Sequence, residues 1–268
     1  MLVQFWGVRG SVPWATPGSI GHGCNTPCVV VHDARRDASL ILDAGSGIVG
    51  FSETLNGAPR PIPILLTHFH WDHTQGLPFF GPLYRRDWKP AIWAPRLRAI
   101  DLEWVETIFD SPFYPVPYRS LPSKPAAHLV EEGNLSIDAF AIQSMMLRHP
   151  GGAFAYRIRG DNGDLVYATD HEFGNAAIDT ALGEFSNGAA VVILDAHFTP
   201  EELATHQGWG HSTWQQCAEF AVKHRVGQLF LFHHKPGRSD SDVSRIEAQA
   251  RRIFARTDAA REGVSVEF

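Results

Sequence analysis

The chain has 268 residues, of which 44% are hydrophobic and 19% are charged, and its formal net charge at pH 7 is -6. This length and composition suffice for one α/β domain with a substantial core, so we expect residues 1–268 to form a single domain. The acidic charge argues against a generally basic surface for binding nucleic acid, and every apolar run is shorter than the roughly 20 residues that span a bilayer.

The chain begins with an apolar run, Met1–Gly7, that predicts a strand at residues 2–6. The run has no basic lead-in and no small-residue cleavage site, so it does not resemble a signal peptide. Cys24, Cys28 and Cys217 cannot all pair with one another, which favours a reducing compartment, and we expect a cytoplasmic protein. Cys24 and Cys28 could be half of a zinc site, but no second pair follows, and packed or turn cysteines are the preferred interpretation.

The remaining elements follow an order that indicates the fold class. Apolar runs bounded by turn residues predict the other strands at residues 29–32, 40–43, 62–67, 91–93, 135–144, 153–159, 165–169, 190–195 and 228–233. Helical spacing predicts helices at residues 97–109, 175–182, 213–224 and 242–256. The third helix is opened by a capping signal at Ser212. Many strands with helices gathered towards the end predict an α/β (α+β) fold of two packed sheets covered by helices, which fits better than a doubly wound Rossmann sheet.

Two segments outside these elements have more than one interpretation. Asp43-Ala-Gly45-Ser-Gly47 resembles a phosphate-binding loop only in its glycines, because the Walker and dinucleotide spacings are missing. A tight turn that could border the active site is preferred. Residues 79–125 are rich in proline and aromatic residues. They could form a substrate-facing cap, although an excursion that packs its own small core is the preferred interpretation for any single aromatic residue.

The densest group of potential metal ligands follows the predicted strand 62–67. In His68-Phe-His70-Trp-Asp72-His73, four such residues fall within six positions. Side chains 68 and 70 share one side of an extended chain, whereas 72 and 73 can turn towards a neighbouring point, so one segment can serve two adjacent metals. Imidazole nitrogens suit zinc, and the carboxylate also admits manganese or iron. Structural hydrogen bonding would explain one such histidine, but not four ligands at this spacing.

This segment resembles the signature His-x-His-x-Asp-His of the metallo-β-lactamase superfamily. The resemblance implies a four-layer αββα sandwich whose metal centre is completed by a later histidine, a bridging aspartate and a final histidine, each at a strand end. His149, Asp170 and His233 are the candidates, and His234 is the alternative to His233 because neighbouring side chains of a strand point to opposite sides.

The resemblance also implies how the ligands are shared between two divalent ions, zinc first among them. One ion would bind His68, His70 and His149, the other would bind Asp72, His73 and His233, and Asp170 would bridge them. Two such charges close together would acidify a bridging water towards neutrality and so supply hydroxide as the nucleophile.

A second motif, Gly208-Trp-Gly210-His211-Ser212-Thr213, resembles the phosphodiesterase branch of the superfamily, which includes RNase Z and the cyclic phosphodiesterases of phosphonate breakdown. In that branch the histidine is a proton donor near the metals, and an acidic residue on the preceding strand orients it. His211 and Asp195 occupy these positions here. A departing alkoxide needs such a donor unless a metal binds it. Helix capping or packing is the alternative role of His211. The candidate catalytic residues are therefore Asp72, His211 and Asp195.

The substrate class follows from a departure from the RNase Z pattern. Those enzymes carry a long basic arm between the equivalents of His149 and Asp170, whereas only a short hairpin fits here. With the acidic net charge, this disfavours extended nucleic acid and favours a small or cyclic phosphodiester. Three alternatives stay open: hydrolysis of a lactone, thioester or β-lactam, RNase Z-like tRNA processing, and a non-catalytic metal or ligand sensor. We also expect no membrane partner, and a homodimer is compatible with this sequence.

Overall fold

The computed structural model describes residues 1–57, 59–97, 103–110 and 112–268. Within these ranges the strands form two mixed sheets of seven strands each. In spatial order, the first sheet consists of β14 (Ser265–Glu267), β1 (Leu2–Gly7), β2 (Cys28–Asp33), β3 (Ala38–Leu42), β4 (Pro61–Leu65), β5 (Lys89–Pro95) and β6 (Ala126–Val130). The second consists of β13 (Thr257–Ala259), β12 (Gln228–Phe232), β11 (Val191–Asp195), β10 (Leu165–Ala168), β9 (Ala153–Ile158), β8 (Phe140–Leu147) and β7 (Gly133–Ile137).

Most of the helices cover the outer faces of these sheets. The helices are α1 (Gly47–Glu53), α2 (Trp71–Thr74), α3 (Trp104–Ile108), α4 (Ala176–Ser186), α5 (Pro200–Leu203), α6 (Trp214–Lys223) and α7 (Asp240–Ile253). Short 3-10 turns cover Leu77–Phe79, Gly81–Tyr84 and Tyr118–Ser120. One cluster of buried residues joins α1 and α3 to the first sheet, and another joins α4, α6 and α7 to the second.

A third buried cluster lies between the two sheets and completes a four-layer αββα sandwich. The ring centroids of Phe5 in β1 and Phe230 in β12 are 5.0 Å apart across this interface. Because each sheet is covered on both faces, its central strands are largely apolar: all five residues of β11 are buried, and four of them, Val191 to Leu194, are apolar. The predicted fold class, including the layer order implied by the family resemblance, is confirmed.

Two predicted elements are wrong in detail. The predicted strand 135–144 is a hairpin of β7 and β8, in which Ile137 pairs with Phe140 around Asp138. The left-handed φ of 49° at Asp138 reverses the chain, and aspartate tolerates that conformation. The predicted helix 97–109 is reduced to α3, Leu97 lies in a loop, and residues 98–102 lie outside the described ranges.

The capping residue of α6 also differs from the prediction. Thr213, not Ser212, is the N-cap, and it forms a reciprocal capping box with Gln216. Ser212 is buried and its hydroxyl donates a hydrogen bond to the backbone oxygen of His171. The helix therefore starts one residue later than the capping signal suggested, and Ser212 anchors the preceding loop to the end of another strand.

The aromatic segment 79–125 packs largely against the outer face of the first sheet. Phe80, Trp88 and Phe109 are at most 1% exposed and belong to the cluster that contains α1 and the strand residues of that sheet. Phe79 and Phe113 remain exposed, at 59% and 80%. The segment also contributes β5 to the sheet itself, so the buried aromatic residues extend the cluster on the outer face of the first sheet rather than forming a separate small core.

Cys24, Cys28 and Cys217 are free thiols. In the part of the chain that the structure describes, Cys24 and Cys28 belong to no group of potential metal ligands, which supports the packing interpretation. No helix of the described residues combines the length and the apolar composition that crossing a membrane requires.

Candidate metal centre

The candidate ligands lie where strands of both sheets end on one edge of the sandwich. Each comes shortly after the C-terminal end of a strand: His68 to His73 after β4, His149 after β8, Asp170 after β10, and His233 after β12. Their donor atoms converge into groups in which all atoms lie within 4.8 Å of one another, namely His68, His70 and His149; His68, His73 and Asp170; and Asp72, His73 and His233. The structure therefore brings together every residue that the sequence proposed as a ligand.

The first group consists of three neighbouring imidazoles. His149 Nε2 lies 2.9 Å from His70 Nδ1, and the ring centroid of His68 is 4.8 Å from that of His149. Burial lowers the pKa of His68 well below its usual value and that of His149 to about 4. Both rings are therefore neutral, which is the form that binds metal ions. His70 is exposed and opens this side of the group to solvent.

The second group combines a carboxylate with two imidazoles. His233 Nε2 lies 3.0 Å from Asp72 Oδ2 and 3.4 Å from His73 Nε2. His234 faces away, because its Nε2 donates a hydrogen bond to the backbone oxygen of Ala260. The structure thus places His233, and not its neighbour, in the ligand cluster.

Asp170 lies between the two groups. Its Oδ1 is 3.8 Å from His149 Nε2 and 3.5 Å from His233 Nε2, while its Oδ2 is 3.2 Å from His73 Nε2. Burial alone would raise the pKa of this carboxyl, but His233 and His73 hold the pKa well below its usual range. The ionised carboxylate is therefore within a short distance of ligand atoms from both groups.

Asp43 orients His73, a role that the sequence pattern around Asp43 did not indicate. Its Oδ2 accepts hydrogen bonds from His73 Nδ1 and Tyr167 Oη, each at 2.8 Å, and its Oδ1 accepts one from the backbone N–H of Thr67 at 2.7 Å. With Nδ1 engaged, His73 turns Nε2 towards the cluster, an arrangement typical of metal-binding histidines. The available signal was a lone aspartate ending an apolar strand, which we interpreted only as part of a turn.

His211 and Asp195 form a close pair beside the ligands. His211 Nδ1 lies 2.5 Å from Asp195 Oδ2 and 3.7 Å from Asp170 Oδ1. Burial would lower the pKa of His211, but the Asp195 carboxylate raises it to about 9. The pairing that the resemblance implied for these residues is present in the geometry.

His197 is a buried histidine of this site that the sequence analysis did not single out. Its ring stacks on His211 with centroids 4.5 Å apart, and its Nδ1 donates a hydrogen bond to the backbone oxygen of His233 at 3.0 Å. Burial lowers the pKa of His197 well below its usual value. The sequence signal would have been its position two residues after Asp195 at the end of β11.

The donor set fits divalent cations. His68 Nε2 is buried and has no hydrogen-bond partner, although it lies 3.9 Å from Asp170 Oδ1. Burial would lower the pKa of His73, but Asp170, Asp72 and Asp43 raise it well above its usual value, so this pocket favours a positive charge. Imidazole nitrogens and carboxylate oxygens are the ligands of zinc and of related transition metals. The cluster therefore has the donor atoms that a divalent metal ion requires.

Comparisons with known proteins agree with this geometry. A family model described as a beta-lactamase superfamily domain matches residues 39–234. A ribonuclease Z of Bradyrhizobium sp. (strain ORS 278) is 26% identical over 301 aligned positions, which cover 96% of each chain. The metallo-beta-lactamase fold protein YhfI from Bacillus subtilis superposes with a TM-score of 0.75 at 18% identity over 99% of each chain. A diphosphatase from the PhnP family gives 0.73 at 19% identity, over 100% of this chain and 96% of its own. The chain belongs to the β-lactamase superfamily and is a hydrolase of the metallo-β-lactamase fold.

Proposed function

We propose that the protein is a phosphodiesterase that hydrolyses a small or cyclic phosphodiester with two divalent metal ions. The observation that carries the proposal is the pair of His211 and Asp195, whose Nδ1 and Oδ2 atoms are 2.5 Å apart beside the ligand cluster. A proton donor at this point suits cleavage of a bond to an alkoxide, which is a poor leaving group unless it is protonated or bound to a metal. The names ribonuclease Z and diphosphatase, borne by two of the similar proteins, denote cleavage of phosphate linkages and support this reaction class.

The proposed ligands divide into the two groups of the cluster. His68, His70 and His149 would hold one ion, Asp72, His73 and His233 the other, and Asp170 would bridge them. Zinc is the ion best matched to this donor set, with manganese or iron as alternatives. When bound, such ions polarise a phosphoryl oxygen and lower the pKa of water. Asp72 also accepts a hydrogen bond from the backbone N–H of Ser11 at 2.7 Å, which fixes its carboxylate at the edge of the cluster.

His211 would act as the general acid. Because its Nδ1 is engaged by Asp195, the proton on Nε2 is the one free to move to the departing oxygen. Burial would lower the pKa of His211, but the carboxylate of Asp195 raises it to about 9, so this pairing favours the doubly protonated ring that a general acid needs. Asp195 would hold the ring in position and stabilise its charge, while accepting a second hydrogen bond from the backbone N–H of His197 at 2.8 Å.

A small substrate is supported by the surroundings of the site. The connection between β9 and β10 spans only residues 159–164, which leaves no room for a basic arm. Trp71 and Trp209 are 58% and 60% exposed. Trp71 lies in sequence between the proposed ligands His70 and Asp72, and Trp209 directly precedes Gly210 in the loop before His211. Exposed aromatic faces can stack on planar groups such as nucleobases. We further propose that the protein is cytoplasmic and has no membrane partner. Both a monomer and a homodimer are compatible with this proposal.

Tests of activity separate this proposal from its alternatives. Purified protein loaded with zinc or manganese should cleave bis(p-nitrophenyl) phosphate and at least one member of a cyclic-nucleotide panel. Activity confined to lactones, thioesters or β-lactams would replace the proposal with carbonyl chemistry. Cleavage of pre-tRNA alone would favour RNase Z-like processing, which the Bradyrhizobium relative's name suggests as the second candidate. If the protein turned over none of these substrates, the enzyme hypothesis would be wrong and the non-catalytic sensor would be the remaining hypothesis.

Metal stoichiometry tests the two-ion assignment. Elemental analysis of purified protein should give about two metal ions per chain. Asp170→Asn should lower this content, because the neutral amide replaces a charged carboxylate whose Oδ1 lies 3.8 Å from His149 Nε2 and whose Oδ2 lies 3.2 Å from His73 Nε2. Asp87→Asn, at an exposed position, serves as the matched control and should leave the content unchanged. Unaltered metal content in the Asp170 variant would remove the proposed bridge.

A further inference from the structure

We propose that Glu172 is a positioning residue that fastens the loop Gly208–Gly210 and thereby holds His149 and His211 in their places. The proposal rests on the proposed phosphodiesterase function for its catalytic consequence, but its structural basis is independent of that function. Glu172 is 4% exposed and lies two residues after Asp170, at the end of β10.

The carboxylate of Glu172 binds both ends of this loop. Its Oε1 accepts a hydrogen bond from the backbone N–H of Gly208 at 3.0 Å, and its Oε2 accepts one from Gly210 at 2.7 Å. Arg148 Nη2 lies 3.1 Å from Oε1 and pairs with the same carboxylate from a half-exposed position. A buried carboxylate costs free energy unless it is paired and hydrogen-bonded, and these contacts supply both conditions.

The loop has a backbone shape that suits this carboxylate. Gly208 and Gly210 both have a φ of +85°, which glycine adopts far more readily than other residues. Closely spaced backbone N–H groups in such turns form concave binding sites for anions. Here the anion is a side chain of the protein, so the loop is held to the end of β10 by a charge rather than by apolar packing.

Gly210 connects this anchor to the ligand cluster. Its backbone oxygen accepts a hydrogen bond from His149 Nδ1 at 2.9 Å, which leaves His149 Nε2 to face His70. A Cβ added to Gly210 would lie only 2.2 Å from His149 Nδ1, so the loop fits closely against this ring. His211 follows Gly210 directly. Release of the Glu172 anchor should therefore disturb a proposed ligand and the proposed general acid together.

The test replaces Glu172 with an isosteric amide. In Glu172→Gln only one oxygen can accept, and the NH₂ group confronts the second backbone N–H with another donor. On zinc-loaded protein, NMR should show hydrogen exchange of the Gly208 and Gly210 amides about 10-fold or more faster than in the wild type. Zinc affinity, measured by chelator competition, should fall about 10-fold to 100-fold, as is usual when a residue that orients a ligand is lost. Glu184→Gln, on the exposed side of α4, is the matched control and should change neither.

Kinetics distinguish positioning from a general loss of stability. With a cyclic nucleotide, whose leaving group is an alkoxide, kcat of Glu172→Gln should fall about 10-fold or more while KM stays within about twofold. With bis(p-nitrophenyl) phosphate, whose leaving group needs little protonation, the fall should be smaller. Equal losses on both substrates would indicate a merely structural role and overturn the proposal.

A variant of Arg148 and hydrogen exchange in the wild type test the anchor further. Arg148→Met removes the ion pair but leaves both amide hydrogen bonds, so its loss of kcat should be smaller than that of Glu172→Gln; a loss as large as that of Glu172→Gln would mean that the ion pair, and not the amide hydrogen bonds, holds the loop. Fast exchange of the Gly208 and Gly210 amides in the wild type would contradict the anchor even if the Gln variant failed to fold. If the wild type cleaved no phosphodiester, the proposed function would fail, while the exchange and zinc measurements would still decide the role of Glu172.

Discussion

Three residues of the site have a left-handed backbone that is uncommon outside glycine. The φ angles of Asp43, Asp170 and His233 are 61°, 58° and 59°, and each residue directly follows or nearly follows the end of a strand. Such conformations cost free energy and persist where surrounding contacts enforce them. Here they turn the chain sharply at the strand ends, so that side chains from separate strands point into one cluster.

The absence of a side chain at Gly10 is equally important for His233. A Cβ at this position would lie 2.4 Å from His233 Nδ1 and 3.0 Å from His197 Nδ1. We predict that Gly10→Ala displaces His233 and lowers zinc affinity about 10-fold or more, as judged by chelator competition. Gly50→Ala is the control, because its Cβ would meet Trp6 at an ordinary 3.6 Å. Wild-type affinity in the Gly10 variant would show that the two imidazoles can move aside.

The sequence predicted the residues of the site unevenly. Four ligands could be identified because they fall within six positions and their spacing is itself the signal: His68, His70, Asp72 and His73. Asp43, His197 and Glu172 could not, because each acts through a partner that folding brings from a distant part of the chain. The choice between His233 and His234 depends on β12 ending at Phe232, which alternation along a strand does not specify.

At the scale of single elements, length decided what could be predicted. The strands β13 and β14 have three residues each, and β14 pairs with β1 from the opposite end of the chain. So short a run carries no usable periodicity, and its pairing partner is known only in the folded protein. The hairpin of β7 and β8 was merged into one strand because the apolar pattern continues across its two-residue turn. By contrast, α6 and α7 were predicted within a few residues because their apolar faces repeat over several turns.

The short helix α5 is held in place by charged side chains, so its contribution to the stability of the fold depends on pH. Glu202 forms a capping box with Thr199 and ion pairs with Lys235 and Arg238. Burial would raise the pKa of Glu202, but these hydrogen bonds and ion pairs lower it from 4.5 to about 2. A depressed carboxyl pKa stabilises the fold fully above the ordinary value and loses this effect as the pH falls through the folded value.

We therefore predict that Glu202→Gln lowers the Tm at pH 7, and that the gap from the wild type closes between pH 4.5 and about 2. Thermal unfolding followed by circular dichroism across this range measures the gap. Glu53→Gln, at an exposed position at the end of α1, should show none at any pH. A gap that persists at pH 2 would mean that packing, and not the ionised carboxylate, gives Glu202 its role.

For the whole molecule, the buried apolar interface between the sheets holds them together and so sets the distance between the strand ends. The order of strands and helices was sufficient to predict two covered sheets, since apolar faces must be buried in layers. The sequence could not show that α1 and the buried aromatic residues of segment 79–125 share one core, because that depends on packing against the outer face of the first sheet.

This interface predicts a large effect of truncation at its centre. Phe230 is 2% exposed and contacts Phe5 across the sheets. We predict that Phe230→Ala lowers the free energy of unfolding by about 3–5 kcal/mol, measured by urea denaturation. Phe113→Ala, at a position that is 80% exposed, should change it by less than about 0.5 kcal/mol. Similar values for the two variants would show that the sheets do not share the core described here.

The proposed phosphodiesterase depends most on His211 as the proton donor beside the metal cluster. The most direct test is the kcat of zinc-loaded His211→Ala on a cyclic nucleotide that the wild type hydrolyses, with metal content measured in the same samples. We predict a fall of about 10²-fold to 10⁴-fold with the metal content unchanged. A kcat within a few-fold of the wild type, at equal metal content, would contradict it.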